Sequence, residues 1–371
     1  MAAKIGIATL GTGFMGKAHS NAFRQVSRFF PGKLEPRMRV ICGTNAAKAQ
    51  AAAEQYGWEQ ADTDWRRVIE WKDIDIVDIC TPNYLHAEQI TAAAGAGKHI
   101  ICEKPLATSL AEARAAADAA DRAHVKHMLM FNYRRVPAVA RARQMIEAGR
   151  LGHIRHYRGV YLQDNLVDPL RPLSWRMQKQ FAGSGALGDI GSHAVDLALW
   201  LNGEIESVTG MLTTFIKERP SGAAPGEVTV DDDASFLARF RNGSAGVFSA
   251  SRFCTGRRNA NTFDIYGSDG SLRFDLERLN ELEWYDRTAP AVDRGFRTMP
   301  ILERDHPYIA AWWPAGHALG WEHTFIHAIH DFLTCLEQDR MPEPNFHDGV
   351  NAQAVLEAVQ VSARSGTWHA V

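Results

Sequence analysis

The sequence predicts an α/β protein of two domains: a doubly wound parallel sheet, then an α+β domain whose sheet is mainly antiparallel. Three observations lead there. Up to about residue 130, short β-rich runs alternate with alanine-rich helical segments, the pattern of strand, helix, strand units with right-handed crossovers. After a helix around residues 136–149, strands follow one another with hairpin signals between them. A chain of 371 residues is also too long for one ordinary core. The division predicted is 1–132 and 133–371.

In the first part, "KIGIATL" is a strand leading into a helix from Gly16 to Phe29. "RVICG" leads into "NAAKAQAAAEQYG", where Gly57 is the helix stop. "IDIVDICTP" precedes "HAEQITAAAGAGK", "HIICEKP" precedes "LAEARAAADAADRAH", and "KHMLMFNYR" is a further strand. Their near-continuous apolar character suits strands covered on both faces.

In the second part, the strands are "IRHYRGVYLQ", "IESVTGMLTTFIKE", "DDASFLARFRNGSAGVFSASRF", "NTFDIYGSDGSLRFDLE" and "ELEWYD". Asn242-Gly243 and Asp269-Gly270 read as tight two-residue hairpin turns, since both pairs tolerate positive φ. "GSHAVDLALWLNG" interrupts the strands as a helix ending at Gly203, and "HTFIHAIHDFLTCLEQ" and "DGVNAQAVLEAVQVSARSG" close the chain as helices. "ERPSGAAPGEVTVDD" (218–232) reads as a mobile loop.

Composition narrows the function classes. The chain is 46% hydrophobic and 23% charged with a net charge of -2, so it carries no electrostatic footprint for nucleic acid or an anionic membrane. A small-molecule partner is expected. Five scattered cysteines without a CxxC pair read as buried hydrophobes of a reducing compartment. The N-terminus turns glycine-rich before a signal-peptide core could form, and no apolar run reaches the ~18 residues of a membrane span, so a cytoplasmic protein is expected.

Gly11-Thr12-Gly13-Phe14-Met15-Gly16 lies between a strand and a helix, the context in which GxGxxG binds a dinucleotide: Gly11 for the tight turn, Gly13 for backbone approach to the pyrophosphate, Gly16 for helix packing. The second strand ends in Gly43, Thr44 and Asn45 where an acid for the adenine ribose is expected, with Lys48 close behind. Thr44 and Asn45 suit a free ribose and Lys48 a 2′-phosphate, so the choice between NAD and NADP stays open. "CTPNYLH" (80–86) follows the next strand and brings Thr81, Pro82, Asn83 and His86 beside the cofactor. In "HIICEKP", Glu103, Lys104 and Pro105 emerge at the same sheet edge; Pro105 stops the strand, and Lys104 can hold a substrate hydroxyl and stabilise an alkoxide. In "GALGDIGSHAVDLALWLNG", Asp189, His193, Asp196 and Trp200 share one helix face, with Ile190, Ala194, Leu197 and Leu201 opposite. His193 can take a hydroxyl proton and the aspartates orient it; the plainer alternative makes Asp189 an N-cap and His193 a core residue. Tyr133, Arg134, Gln163, Asp164, Trp175, Arg176 and His317 supply the aromatic faces and donors that a pyranose ring prefers. His323, His327 and His330 lack the glutamate of a zinc-protease helix and read as surface or interdomain residues, so no metal is expected.

With these residues in hand, the chain resembles the Gfo/Idh/MocA oxidoreductases over its whole length, through GTGFMG, CTPNYLH, EKP and GDIGSHAVD in the family's order and spacing. The resemblance implies an N-terminal Rossmann domain, a C-terminal domain on an open antiparallel sheet that often forms dimers or tetramers, a nicotinamide cofactor, and a catalytic set matching Lys104, Asp189 and His193. "FNYRRVPA", "VYLQD", "PLSWR" and "WWPAGHALGWEHTF" look most like levoglucosan and glycoside 3-dehydrogenases, which implies oxidation of a secondary ring hydroxyl, often at C3, with NAD. Lys104 and His193 are interchangeable as proton acceptor at this level. The alternatives on the same scaffold are an inositol dehydrogenase, an NAD-assisted glycosidase and a non-catalytic sensor.

Overall fold

The computed structural model describes residues 2–371. By packing, the chain divides into two compact units: residues up to Arg135 with Gly320–Val350, and Val136–Leu319 with Asn351–Val371.

The first unit alternates strand and helix as its sequence dictates: β1 (Ala3–Leu10), α1 (Phe14–Phe29), β2 (Leu34–Cys42), α2 (Ala46–Tyr56), β3 (Gln60–Asp62), α3 (Trp65–Ile69), β4 (Ile76–Ile79), α4 (His86–Gly95), β5 (His99–Cys102), α5 (Leu110–Arg122) and β6 (His127–Leu129). The six strands pair in parallel in the order β3-β2-β1-β4-β5-β6, the Rossmann arrangement, with the reversal of strand order between β1 and β4. Ile7, Val40, Ile76, Val77, Ile100 and Ile101 are fully buried, which accounts for their unbroken apolar runs. Gly57 ends α2 at φ +81°, the left-handed cap its sequence signals.

The second unit holds α6 (Pro137–Glu147), β7 (Ile154–Leu162), α7 (Lys179–Ala182), α8 (Ser192–Asn202), β8 (Ile205–Thr213), β9 (Glu218–Ser221), β10 (Ala224–Glu227), β11 (Asp233–Phe240), β12 (Ala245–Ser251), β13 (Ala260–Gly267), β14 (Gly270–Asp275), β15 (Glu281–Asp286) and β16 (Arg297–Pro300). The chain closes with α9 (His323–Glu337), α10 (Phe346–Ser365) and β17 (His369–Ala370). The large sheet runs β16-β15-β14-β13-β7-β12-β11-β8-β17; β7 and β12 pair in parallel and the other neighbours antiparallel. Among the described residues, no helix is long and apolar enough to cross a membrane.

Four expectations differ from what is seen. The helix at 323–337 packs on α1 in the first unit, burying Phe325 and Phe332, so that unit reclaims chain beyond residue 132. His327 is fully buried with Nδ1 2.9 Å from the Arg135 carbonyl oxygen, and His330 stacks on Phe30 at 4.3 Å, so neither is a surface group. Burial pushes the His327 pKa down to about 3. The segment read as a mobile loop carries the β9–β10 hairpin; the buried Arg219 donates to the carbonyl oxygens of Leu166 (2.6 Å) and Asp168 (2.8 Å), which fixes it. Neither predicted two-residue turn forms. Between β11 and β12 only Gly243 has positive φ, while Asn242 accepts from the Ser244 N–H; β13 and β14 are joined by Ser268-Asp269.

Candidate active site

The glycine motif divides its labour visibly. Gly11 has φ +115°, and a Cβ there would lie 2.5 Å from the Cys80 carbonyl oxygen; a Cβ on Gly16 would lie 2.1 Å from that of Gly11. Gly13 is the opposite case: no described atom lies within 4 Å of a Cβ built on it. It is the N-cap of α1 and brings no side chain to the first-turn N–H groups, which with the positive end of the helix dipole are left for an anion. These residues therefore fit a dinucleotide pyrophosphate. Phe14 is 68% exposed and stacks on Trp321 at 5.4 Å, and Met15 beside it is half-buried. At the end of β2, a Cβ on Gly43 would meet the Thr12 methyl at 2.8 Å, so the side chain of the turn occupies the space an acid would need. Thr44 and Lys48 are exposed, whereas Asn45 Oδ1 is committed to the Lys48 N–H at 3.0 Å as the α2 cap.

The loops after β4 and β5 are tied together from below. Thr81 donates to Gln89 Oε1 at 2.6 Å, and Pro82 and Asn83 are half-buried. His86 is fully buried between the two loops, with Nδ1 2.8 Å from the Pro105 oxygen and Nε2 2.9 Å from the Thr81 oxygen, and its single N–H donates to one of them. Burial holds its pKa below the usual value. Deeper still lies a group that sequence reading missed. His19 of α1 sits between two carboxylates, Nδ1 2.7 Å from Asp78 Oδ1 and Nε2 3.0 Å from Glu103 Oε1. Thr9 donates to Asp78 Oδ2 at 2.7 Å, and the Lys104 N–H donates to Glu103 Oε2 at 3.2 Å. His19 and Asp78 are fully buried and Glu103 is 5% exposed. Burial opposes a charge on His19, but the neighbouring Asp78 carboxylate outweighs it and raises the pKa well above the usual value. Cys80 is itself pushed up, first by burial, and stays a thiol. The available signal was an aspartate in an apolar strand, "IDIVDIC", and a histidine one turn after the third glycine.

In the second unit, Leu187–Gly191 forms a π-helical turn running into α8. Asp231 anchors it, accepting from the Gly185 and Leu187 N–H groups at 2.7 Å each, and Gly185 is required because a Cβ there would lie 1.7 Å from the Asp231 oxygen. The π turn carries Asp189, which is not an N-cap but pairs with the buried Arg252. Every residue from Ile190 to Ala198 is buried, His193 and Asp196 among them, while Asp189 and Trp200 at the two ends of the expected polar face are half-buried. The His193 ring lies 5.9 Å from Tyr161, whose hydroxyl donates to Asn259 Oδ1 at 2.6 Å; Gln163 Nε2 donates to the same oxygen at 3.0 Å. This brings together His193, Gln163 and two residues the sequence reading passed over, Tyr161 and Asn259. Arg176 lies over the Trp175 ring at 4.4 Å.

The other expected substrate groups have partners of their own. Tyr133 is 4% exposed, and the buried Arg134 pairs with Glu343 at 3.3 Å and Asp348 at 3.0 Å, which commits its guanidinium within the first unit. His317 is exposed, with Nδ1 2.8 Å from the Pro314 oxygen. Asp121, His127 and His347 are close enough for an ion. However, His127 Nδ1 accepts the Phe346 N–H at 3.1 Å, so the ring proton sits on Nε2, facing Asp121.

Residues 5–131 match the oxidoreductase family with an NAD-binding Rossmann fold, and residues 139–273 match the GFO/IDH/MocA C-terminal domain. The chain belongs to the GFO/IDH/MocA oxidoreductase family. It is an enzyme, and NAD is its cofactor. It is 43% identical over 380 residues to the levoglucosan dehydrogenase of Pseudarthrobacter phenanthrenivorans, covering 98% of this chain and 97% of that protein. Among solved structures, levoglucosan dehydrogenase in complex with NADH and levoglucosan has a TM-score of 0.97 at 44% identity, covering 100% of both chains. An oxidoreductase domain protein from Kribbella flavida has a TM-score of 0.97 at 49% identity, covering 99% of each chain.

Proposed function

We propose that this oxidoreductase is a sugar dehydrogenase that converts a secondary ring hydroxyl, at C3 of an anhydrosugar such as levoglucosan or of a glycoside, to the ketone. The observation that carries the reading is the group at the end of β7, where an imidazole, a phenol and two amides (His193, Tyr161, Gln163 and Asn259) stand together beside the Asp189–Arg252 pair. Vicinal ring hydroxyls are held by such paired donors and acceptors, and the ring's C–H face suits an aromatic side chain. Whole-length likeness to levoglucosan dehydrogenase supports the substrate class.

Gly11, Gly13, Phe14, Met15, Gly16, Thr44, Thr81, Pro82 and Asn83 are the residues assigned to hold NAD, which when bound accepts the hydride. The chain's own groups handle the proton. Lys104 hydrogen-bonds the hydroxyl oxygen and stabilises its developing negative charge. His193 takes the proton, and Asp189, set by Arg252, orients the acceptor. Gln163, Trp175, Arg176 and His317 are assigned to the sugar, and His86 to the loops after β4 and β5.

We also assign the outer face of the large sheet to self-association as a dimer or tetramer. Met211 and Leu237 are 61% and 47% exposed there, and Arg158, Asp264, Arg273 and Glu283 form a row of opposite charges along adjacent strands. A sedimentation experiment that finds only monomers refutes it. Five free cysteines, three of them buried, support a reducing, cytoplasmic setting.

The test of the reaction is NADH absorbance with levoglucosan, monosaccharides, inositols and glycosides, and identification of the product. Ketone formation from an anhydrosugar or glycoside supports the reading. Turnover of inositols alone, release of free aglycone, or bound cofactor that no polyol reduces refutes it.

A further inference from the structure

Three chain segments with separate tasks meet at His19. It lies in the helix that begins at the pyrophosphate loop; Asp78 lies in β4, which leads to the Thr81–Asn83 loop; Glu103 precedes Lys104. Both imidazole nitrogens face carboxylate oxygens. A neutral imidazole has one N–H, so pairing both carboxylates requires the imidazolium. The result is a buried row of anion, cation and anion, with a net charge of one negative and with its other lone pairs met by Thr9 and by the Lys104 N–H.

Packing alone does not call for this arrangement. Apolar side chains of similar volume fill such a space at less cost than three buried ionisable groups. What an ion triad adds is direction: each carboxylate is held at a fixed place relative to α1, and Glu103 passes that on to the backbone of the next residue.

We infer that His19 is a positioning residue for the reaction, setting Lys104 relative to the helix that holds the cofactor by bridging Asp78 and Glu103. This rests on the reading of Lys104 as the group that holds the substrate oxygen. The ionisable groups around His19 are Asp78 and Cys80 from β4 and the loop after it, and Glu103 beyond β5; α9 presents the Phe325 ring, and β1 presents Thr9.

The test is His19→Gln, whose amide donates to one carboxylate while its oxygen faces the other. Assayed below its unfolding transition, it is expected to lose about 10- to 100-fold in kcat, the effect of a small misplacement of a reacting group. Its NADH Kd should stay within about threefold, and its deuterium isotope effect should rise with a sugar labelled at the oxidised carbon. Adding Glu103→Gln removes the orphaned anion and should return most of the lost rate. A lowered thermal midpoint with wild-type kcat and isotope effect overturns the inference. Should His19→Gln fail to fold, Asp78→Asn takes its place: without that anion the charge on His19 loses its first support against burial, and kcat gains a pH dependence absent from the wild type. An unchanged pH profile overturns the inference equally. Undiminished turnover in Lys104→Met sinks the Lys104 reading itself, whereas turnover lost in Lys104→Met but kept in His19→Gln sinks this inference alone.

Discussion

Removing Asp189 should cost stability as well as turnover, and the two effects can be separated. Its partner Arg252 has a side chain 3% exposed, while that of Asp189 is 33% exposed. Asp189→Ala therefore leaves a buried guanidinium without its carboxylate, and Arg252 Nε has no hydrogen-bond partner among the described residues. Breaking a buried pair from one side costs about 3–5 kcal/mol. Because water reaches Asp189 and Asp231 and Asp232 lie close enough to feel the Arg252 charge, the cost falls to or below the lower end of that range, about 2–3 kcal/mol. For a unit of this size that lowers the thermal midpoint by about 4–12 °C. Scanning fluorimetry of Asp189→Ala, Arg252→Met and the double variant reads it. The double variant should recover part of what Asp189→Ala loses, since the stranded charge is gone. A midpoint for Asp189→Ala within a degree of wild type, or a double variant that loses the full sum of the singles, refutes the reasoning.

The glycines give a contrast in one loop. Gly16→Ala puts a methyl 2.1 Å from a backbone oxygen and should destabilise the protein, whereas Gly13→Ala meets no described atom and should fold normally but bind NADH at least about tenfold more weakly, as read by fluorescence titration. Equal stability of the two variants contradicts this. Stability should also depend on pH through His19. Its folded pKa lies above the unfolded value of about 6.5, so its contribution is complete below about pH 6.5 and is lost as pH rises through the folded pKa. The gap in thermal midpoint between wild type and His19→Gln should narrow as pH rises above about 6.5, and a gap that widens refutes it.

What could be read from sequence was what is local. Each glycine of GTGFMG acts on atoms within a few residues or on the adjacent strand end, and the alternation of strand and helix is carried by short windows. The misses are long-range. His19 pairs with residues 59 and 84 positions away, and Arg134 with partners 209 and 214 positions away, so no spacing rule reveals them. The π turn at Leu187–Gly191 depends on Asp231 reaching its N–H groups from another part of the chain, which no propensity encodes. The β9–β10 hairpin, hidden in a Pro- and Gly-rich stretch, depends on Arg219 finding distant carbonyl groups.

The central claim is that Lys104 and His193 serve the oxidation of one sugar hydroxyl. The most direct measurement is NADH formation from levoglucosan by wild type, Lys104→Met and His193→Ala, with the product's carbonyl located by NMR. The account predicts a ketone at C3, turnover reduced about 10²-fold or more in each variant, and NADH binding retained. Undiminished turnover in either variant, or a product oxidised at no ring carbon, contradicts it.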